Sequence, residues 1–316
     1  MSAPQHLALT CPQCGGTLPR QAAWRMVACP YCRSVVTRAA RVVQRVAFQQ
    51  ALARAAAMPA TGERLDLDGV AYGLQSAWGG TTDAALWRGY RAGAAAAQVM
   101  VLMAEPGDLA LLQHGRQLIA LQASAGPGAA YYSQRLPQVE RHGTGSFRGR
   151  PVQALVLRRP PGYWGSLAQV SAHHSQGLQD VRHAVWLWRR VLDVLGWLHQ
   201  QGWTHGDLLP AHWLIHPADH GVLLMGWASA RRGGDRARDL MQSAWALRQA
   251  LAPAGDGAPA MAPGLPPGLS HLLRRASEDP DWCARHSAAQ VDQQLVAAAA
   301  QAFGPARFIP FNPERA

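Results

Sequence analysis

Two sets of side chains in this 316-residue chain are spaced to do chemistry. The first is Cys11, Cys14, Cys29 and Cys32, two Cys-x-x-Cys pairs separated by fourteen residues. Each pair makes a tight knuckle that aims two thiolates at one centre, and two knuckles close a tetrahedral zinc site. Four thiolates leave no open coordination position, so the expected metal is structural: it supplies folding free energy to a module too small to bury a core. Two disulfides instead would require an oxidising compartment, which nothing in the sequence supports. The second set is His205, Asp207 and His212, in the run T-H-G-D-L-L-P-A-H-W. A carboxylate in a polar loop can orient or deprotonate a hydroxyl, and an imidazole can ligate a transition metal. The competing reading is structural, in which Asp207 accepts backbone N–H groups to hold a turn and His205 and His212 pack the loop to the core.

These residues need elements to position them. Ahead of the loop, residues 180–199 carry Val181, Val185, Trp188, Leu192, Leu195 and Leu198 at three- and four-residue intervals, the pattern of an amphipathic helix. Trp186 and Trp197 in the same run read as packing residues. After the loop, residues 213–215 and 222–225 read as two short strands, and residues 238–252 as another helix. Upstream, residues 70–75, 85–90 and 98–103 read as strands, and 109–122 as a helix. Residues 150–159 form a strand that leaves through P-P-G-Y-W-G-S-L into a short helix. Residues 253–267, eight of which are Gly or Pro, are a loop.

The stretch from Trp203 to Ser229 resembles the protein-kinase signature in which H-R-D-L-K-P-E-N precedes a hairpin ending in D-F-G, and H-G-D also resembles small-molecule phosphotransferases of that fold. His205, Asp207, Leu208 and Pro210 match. His212 stands where the family has its metal-binding Asn, and Gly226, followed by Trp227 and Ala228, stands where it has the metal-binding Asp. The resemblance implies an α+β, two-lobed fold with a small β-rich lobe and a large helical lobe. It puts Gly79 and Gly80 in the phosphate-covering turn and the backbone around Val156 and Leu157 against an adenine ring. The phosphate-contacting Lys is replaced by Met100 or Leu102, and its Glu partner by His114 or Gly115, the nearest acid being Glu105. Asp239 takes the place of the buried Asp that orders the catalytic loop, and Arg285 that of the Arg pairing with an A-P-E Glu, which this chain lacks. Separately, C-P-Q-C-G-G and C-P-Y-C resemble the zinc-ribbon family, with residues 26–28 a strand leading into the second knuckle.

The expected organisation is a zinc ribbon over residues 1–33, a helical connector over 34–61, a small lobe over 62–150, a large lobe over 151–300 and a Pro- and Phe-rich tail over 301–316. The tail has two readings, packing back on the large lobe or docking into another protein. Cys283 reads as a lone core thiol. All thirty basic residues are Arg, there is no Lys, and the one Asn is Asn312. No Lys can therefore contact nucleotide phosphates. A net charge of +11 favours acidic partners, with scattered Arg reading as a solvated surface and nucleic acid as the alternative. The densest group is Arg231, Arg232, Arg236 and Arg238.

No apolar run flanked by positive charge opens the chain and no stretch of eighteen apolar residues occurs, so the expected compartment is the cytoplasm, with no membrane partner. Phosphoryl transfer depends on positioning and on neutralising phosphate charge with metal and cations. Of these only Asp207 is present. The sequence therefore points to a catalytically impaired, kinase-like scaffold or regulatory protein with a structural zinc and a protein partner. ATP is the cofactor the fold implies, and the missing cation and metal ligands argue against it. An atypical ATP-dependent phosphotransferase and a zinc-ribbon nucleic-acid-binding regulator are the alternatives.

Overall fold

A computed structural model gives the three-dimensional structure and describes residues 26–29, 31, 35–37, 63–80, 84–92, 94–124, 128–133, 135–174, 176–252 and 261–314. At the N-terminal end, β1 (Met26–Ala28) pairs antiparallel with β2 (Val35–Thr37), Ala28 opposite Val35, so the two strands flank the second cysteine pair. Cys29 follows β1 and is buried, whereas Cys11, Cys14 and Cys32 lie outside the described residues. Residues 35–37, expected to open a helical connector, are a strand: Val, Val and Thr are β-branched and fit a pleated pair better than a helix. The rest of that connector, residues 38–61, also lies outside the described residues.

The small lobe is a closed barrel of six antiparallel strands. These are β3 (Glu63–Leu67), β4 (Val70–Gly80), β5 (Ala85–Arg91), β6 (Ala94–Ala104), β7 (Val139–Phe147) and β8 (Arg150–Arg158), in the order β3-β4-β5-β6-β8-β7. Closure comes from β3 against β7, with Leu65 opposite Phe147. Asp68 and Gly69, both at positive φ, turn β3 into β4 in the manner of a two-residue hairpin. Alternation along the strands sends Leu65, Leu67, Tyr72, Leu74, Val99, Val101, Ala154 and Val156 inward to a small closed core. The opposite faces of β6 and β8, with Met100, Leu102, Leu155 and Leu157, join the main core that continues into the large lobe. Because β8 completes the barrel, the small lobe extends to Arg158 rather than ending at residue 150. Between β6 and β7, α1 (Leu109–Gln122) starts at Asp108, whose side chain accepts from Leu111 N at 2.6 Å, and α2 (Ala129–Ser133) follows.

The large lobe begins with β9 (Gly165–Ser166) and α3 (Leu167–His173), closed at its start by a capping box between Ser166 and Gln169. Then come α4 (Val181–Gln200), capped by Asp180, β10 (Trp203–Thr204), β11 (Trp213–His216), β12 (Gly221–Leu224) and β13 (Arg231–Arg232). Four helices complete it: α5 (Arg236–Leu251), α6 (Pro267–Glu278), α7 (Pro280–Arg285) and α8 (Ala288–Phe303). Helix α4 runs through the middle, burying Trp188, Val191, Leu192, Leu195 and Leu198 between α5 and α8. Among the described residues no helix is long and apolar enough to cross a membrane.

The C-terminal residues fold back on the large lobe. Phe311 is buried beside His174, His183 and Trp186; His174 Nε2 is 3.2 Å from the Asn312 carbonyl, and Trp164 Nε1 donates to Glu314 at 3.0 Å. The N-terminal hairpin reaches the same face through Tyr31. Its hydroxyl donates to the Asp219 carbonyl and its ring meets His220 and Phe308 edge-on, with the Arg190 guanidinium 5.0 Å from the ring centroid. Burial pushes the Tyr31 phenol up to about 12.

Candidate functional site: the interlobe cleft

The loop between β10 and the turn at Pro210–His212 is held almost entirely by side chains. Asp239, fully buried on α5, accepts from His205 N at 2.9 Å through Oδ2 and from Gly206 N at 2.7 Å through Oδ1, and His199 Nε2 lies 2.8 Å from Oδ2. Asp207 N donates to His205 Nδ1 at 3.2 Å and Leu208 N to Gln242 Oε1 at 3.2 Å. Four consecutive backbone N–H groups, residues 205 to 208, are thus satisfied without a strand or helix. Gly206 sits at φ 79°, and a Cβ there would stand 2.9 Å from the Ser229 carbonyl oxygen, which accounts for glycine between the His and the Asp.

His205 is fully committed. Its Nδ1 accepts from Asp207 N, so Nε2 carries the proton and donates to the Met225 carbonyl at 2.9 Å, while the ring packs 4.4 Å from that of Trp227. Burial first, and then the neighbouring His212, push its pKa down to about 4, against the opposing pull of Asp239. It is neutral and enclosed, with no nitrogen left for proton transfer.

Asp207 is partly exposed at the cleft, with His212 Nδ1 2.8 Å from its carbonyl and 3.5 Å from its Oδ2. His212 lies across Gly226. That glycine has φ 79° and ψ 40°, and a Cβ on it would be 2.3 Å from His212 Nδ1. The two positions at which the resemblance expects metal ligands are therefore occupied by one imidazole and by a residue that can carry no side chain beside it.

The remaining expected nucleotide contacts are placed as follows. Met100 and Leu102 are buried in β6, within the apolar core. On α1, His114 is buried, with its pKa pushed down to about 3, mostly by desolvation and further by His205 and His212. Gly115 lies against the barrel wall, where a Cβ would be 3.4 Å from Leu155. Glu105 precedes the helix and is exposed. Gly79 and Gly80 end β4, Gly80 opposite Ala85, with residues 81–83 outside the described set. Val156 and Leu157 are fully buried in mid-β8, paired to β6 on one side and β7 on the other, so they do not face the cleft. Beyond them Arg158 N donates to Gln138 O at 2.8 Å and Arg159 N to Gln98 O at 2.9 Å. The barrel, which sequence periodicity does not reveal, thus consumes backbone groups assigned to an adenine.

The cleft between the lobes has a volume of about 410 Å³. Trp78, Leu86, Leu102, Leu111, Leu214 and Met225 make most of its wall, with Asp108, Asp207, His114 and His212 as its titratable groups. Among the described residues no Arg lines it. Arg88 and Arg159 lie instead around Trp78 in a neighbouring depression, 4.2 and 5.1 Å from its ring centroid. Trp78 Nε1 at 2.9 Å and Arg88 Nη2 at 2.6 Å both donate to the Trp164 carbonyl, tying the small lobe to the residue that precedes β9.

Two arginines of the large lobe differ in their surroundings. Arg285 is exposed at the end of α7 and has no ion-pair partner among the described residues. The buried guanidinium of the large lobe is Arg248 on α5, 2.9 Å from Ser277 Oγ and 2.6 Å from Glu278 Oε1. Its signal was available as an Arg within the apolar stripe of a helix. Cys283 is buried, donates to the Ala276 carbonyl at 3.3 Å and has its pKa pushed up to about 11 by burial.

No protein-family model and no curated protein matches the chain. Solved structures do. The chain is similar to the ROP18 kinase domain in complex with AMP-PNP and sucrose, at 15% identity over 83% of this chain and 92% of that one, with a TM-score of 0.53. It is also similar to the BubR1 kinase domain, at 12% identity over 77% of this chain and 84% of that one, again with a TM-score of 0.53. At such identities the likeness concerns the fold, and the chain from the barrel to α8 has a protein-kinase-like α+β fold.

Proposed function

We propose that this protein is a catalytically impaired, kinase-like module that works by binding, with a structural zinc held by Cys11, Cys14, Cys29 and Cys32. The observation that carries the reading is the packing of His212 on Gly226. A magnesium ion needs oxygen ligands in near-octahedral geometry. Here one metal-ligand position offers an imidazole whose Nδ1 is bonded to a carbonyl, and the other cannot hold a carboxylate while His212 keeps its place. Among the described residues no cation lines the cleft, so the second means of neutralising a triphosphate is not found there.

Cys29 suits a structural zinc in being buried at the end of β1, in a hairpin whose strands bracket the second pair. When bound, the metal would fix the two knuckles and so the presentation of Tyr31 to the large lobe. Tyr31 meets Phe308, and Phe311 packs on Trp186, at one face of the large lobe, which suits a scaffold for a protein partner.

The test is phosphate transfer from labelled ATP with Mg²⁺ or Mn²⁺, to the protein itself and to general protein substrates. No incorporation above the Asp207→Asn control is expected. Robust transfer that this substitution abolishes would overturn the reading.

A further inference from the structure

The interlobe cavity, about 410 Å³, is the size of a pocket for a small organic ligand. Among the described residues its Asp and Arg content has one sign. Asp108 and Asp207 both line it and no Arg does among the described residues, in a chain with thirty Arg and a net charge of +11. Two further groups point the same way. His114 and His212 line the cleft at 5% and 2% exposure, and the Nε2 of each lacks a hydrogen-bond partner among the described residues. For His212, Nδ1 lies 2.8 Å from the Asp207 carbonyl, which only accepts, so Nδ1 carries a proton and the neutral form of the ring has its lone pair on Nε2. Burial keeps His114 neutral. Described cations line adjoining depressions instead, Arg88 and Arg159 with Trp164, and Arg231 and Arg238 with Gly206 and Ala228.

A buried acceptor without a donor is costly, and a ligand that supplies the donor recovers that cost. Polyphosphates and carboxylates would bring more negative charge to two aspartates. A group with N–H donors and positive charge satisfies carboxylates and imidazole together.

We propose that the cleft is a binding site for an apolar organic cation, a hydrophobic amine whose ammonium is held by Asp108 and Asp207 and donates to Nε2 of His212. Its hydrocarbon body lies against Leu86, Leu102, Leu214 and Met225. This rests on the reading above, in that the site is not one for ATP with magnesium.

Three probes of nearly equal size and different charge test it on the full chain: phenethylamine, phenethyl alcohol and phenylacetate, titrated calorimetrically at neutral pH. Phenethylamine should bind at least about tenfold more tightly than the alcohol, and phenylacetate should not bind. Asp207→Asn and Asp108→Asn, the latter still able to cap α1, should each weaken the amine about tenfold and leave the alcohol unchanged. Ala110→Arg, an exposed position on the cleft rim, introduces a cation without touching the core and should weaken the amine while admitting phenylacetate. Equal or tighter binding of alcohol or carboxylate by the unmodified protein, or amine affinity indifferent to all three substitutions, overturns the proposal. The same sample titrated with ATP and Mg²⁺ separates the two failures: a silent ATP titration with no amine preference sinks this proposal alone, and magnesium-dependent ATP binding sinks both.

Discussion

The His212 imidazole fills the space a side chain at residue 226 would need: a Cβ on Gly226 would lie 2.3 Å from its Nδ1. The two departures from the kinase pattern are therefore one packed unit. Restoring a carboxylate by Gly226→Asp alone should destabilise the protein by about 2–4 kcal/mol, combining left-handed backbone strain with overpacking. His212→Asn in the same chain opens the space and should return at least about 1 kcal/mol. Urea denaturation of both single variants and the double measures the coupling, and strictly additive effects would contradict the packing argument.

Asp239 is the second dependency. Asp239→Ala leaves the backbone N–H groups of His205 and Gly206 and the His199 ring without their acceptor in a buried site. A loss of about 3–5 kcal/mol is expected, the range for breaking a buried polar network. Loss of amide exchange protection at residues 205 and 206 should accompany it.

Acid should unfold the domain through its histidines. His114 and His205 have folded pKa values pushed down to about 3 and about 4 from an ordinary 6.5, each chiefly by burial. Between those limits the unfolded chain binds protons that the folded one refuses, so this stability is fully present above pH 6.5 and declines as pH falls toward 4. The slope is about 1.4 kcal/mol per pH unit for each histidine that stays neutral. His114→Leu, which removes an unpaired nitrogen, should flatten the curve between pH 6.5 and 5 in chemical denaturation.

Much of this was legible in the sequence, and the gaps have physical causes. Helix α1 spans the expected residues 109–122, and α4 was legible because ten buried side chains leave a clear stripe. The loop motif is legible because its local chemistry is dense, and it puts Asp207 at the cleft with His205 enclosed beside it. Strand β7, V-E-R-H-G-T-G-S-F, escaped notice because it has few apolar residues, and with it the barrel closure that puts Val156 and Leu157 in mid-sheet. Register between strands far apart in sequence is a tertiary property, and so is the fit of His212 on Gly226.

The zinc expectation links to Tyr31. If metal holds the knuckles that present this residue, the purified chain carries about one zinc, and chelation releases the phenol from its seat on Asp219 and His220. Its titration, at about 12 in the folded protein, should then fall toward 10. Ultraviolet difference spectra across alkaline pH, with and without chelator, report the change, and Tyr31→Phe identifies the signal.

The central claim is an electrostatic one, and calorimetric titration of the full chain with ATP in the presence of excess Mg²⁺ tests it most directly. Heats indistinguishable from dilution up to about 1 mM nucleotide are predicted, with no shift in melting temperature. A magnesium-dependent isotherm with a dissociation constant near about 10 μM, lost on chelating the metal, would show that the cleft manages a triphosphate after all.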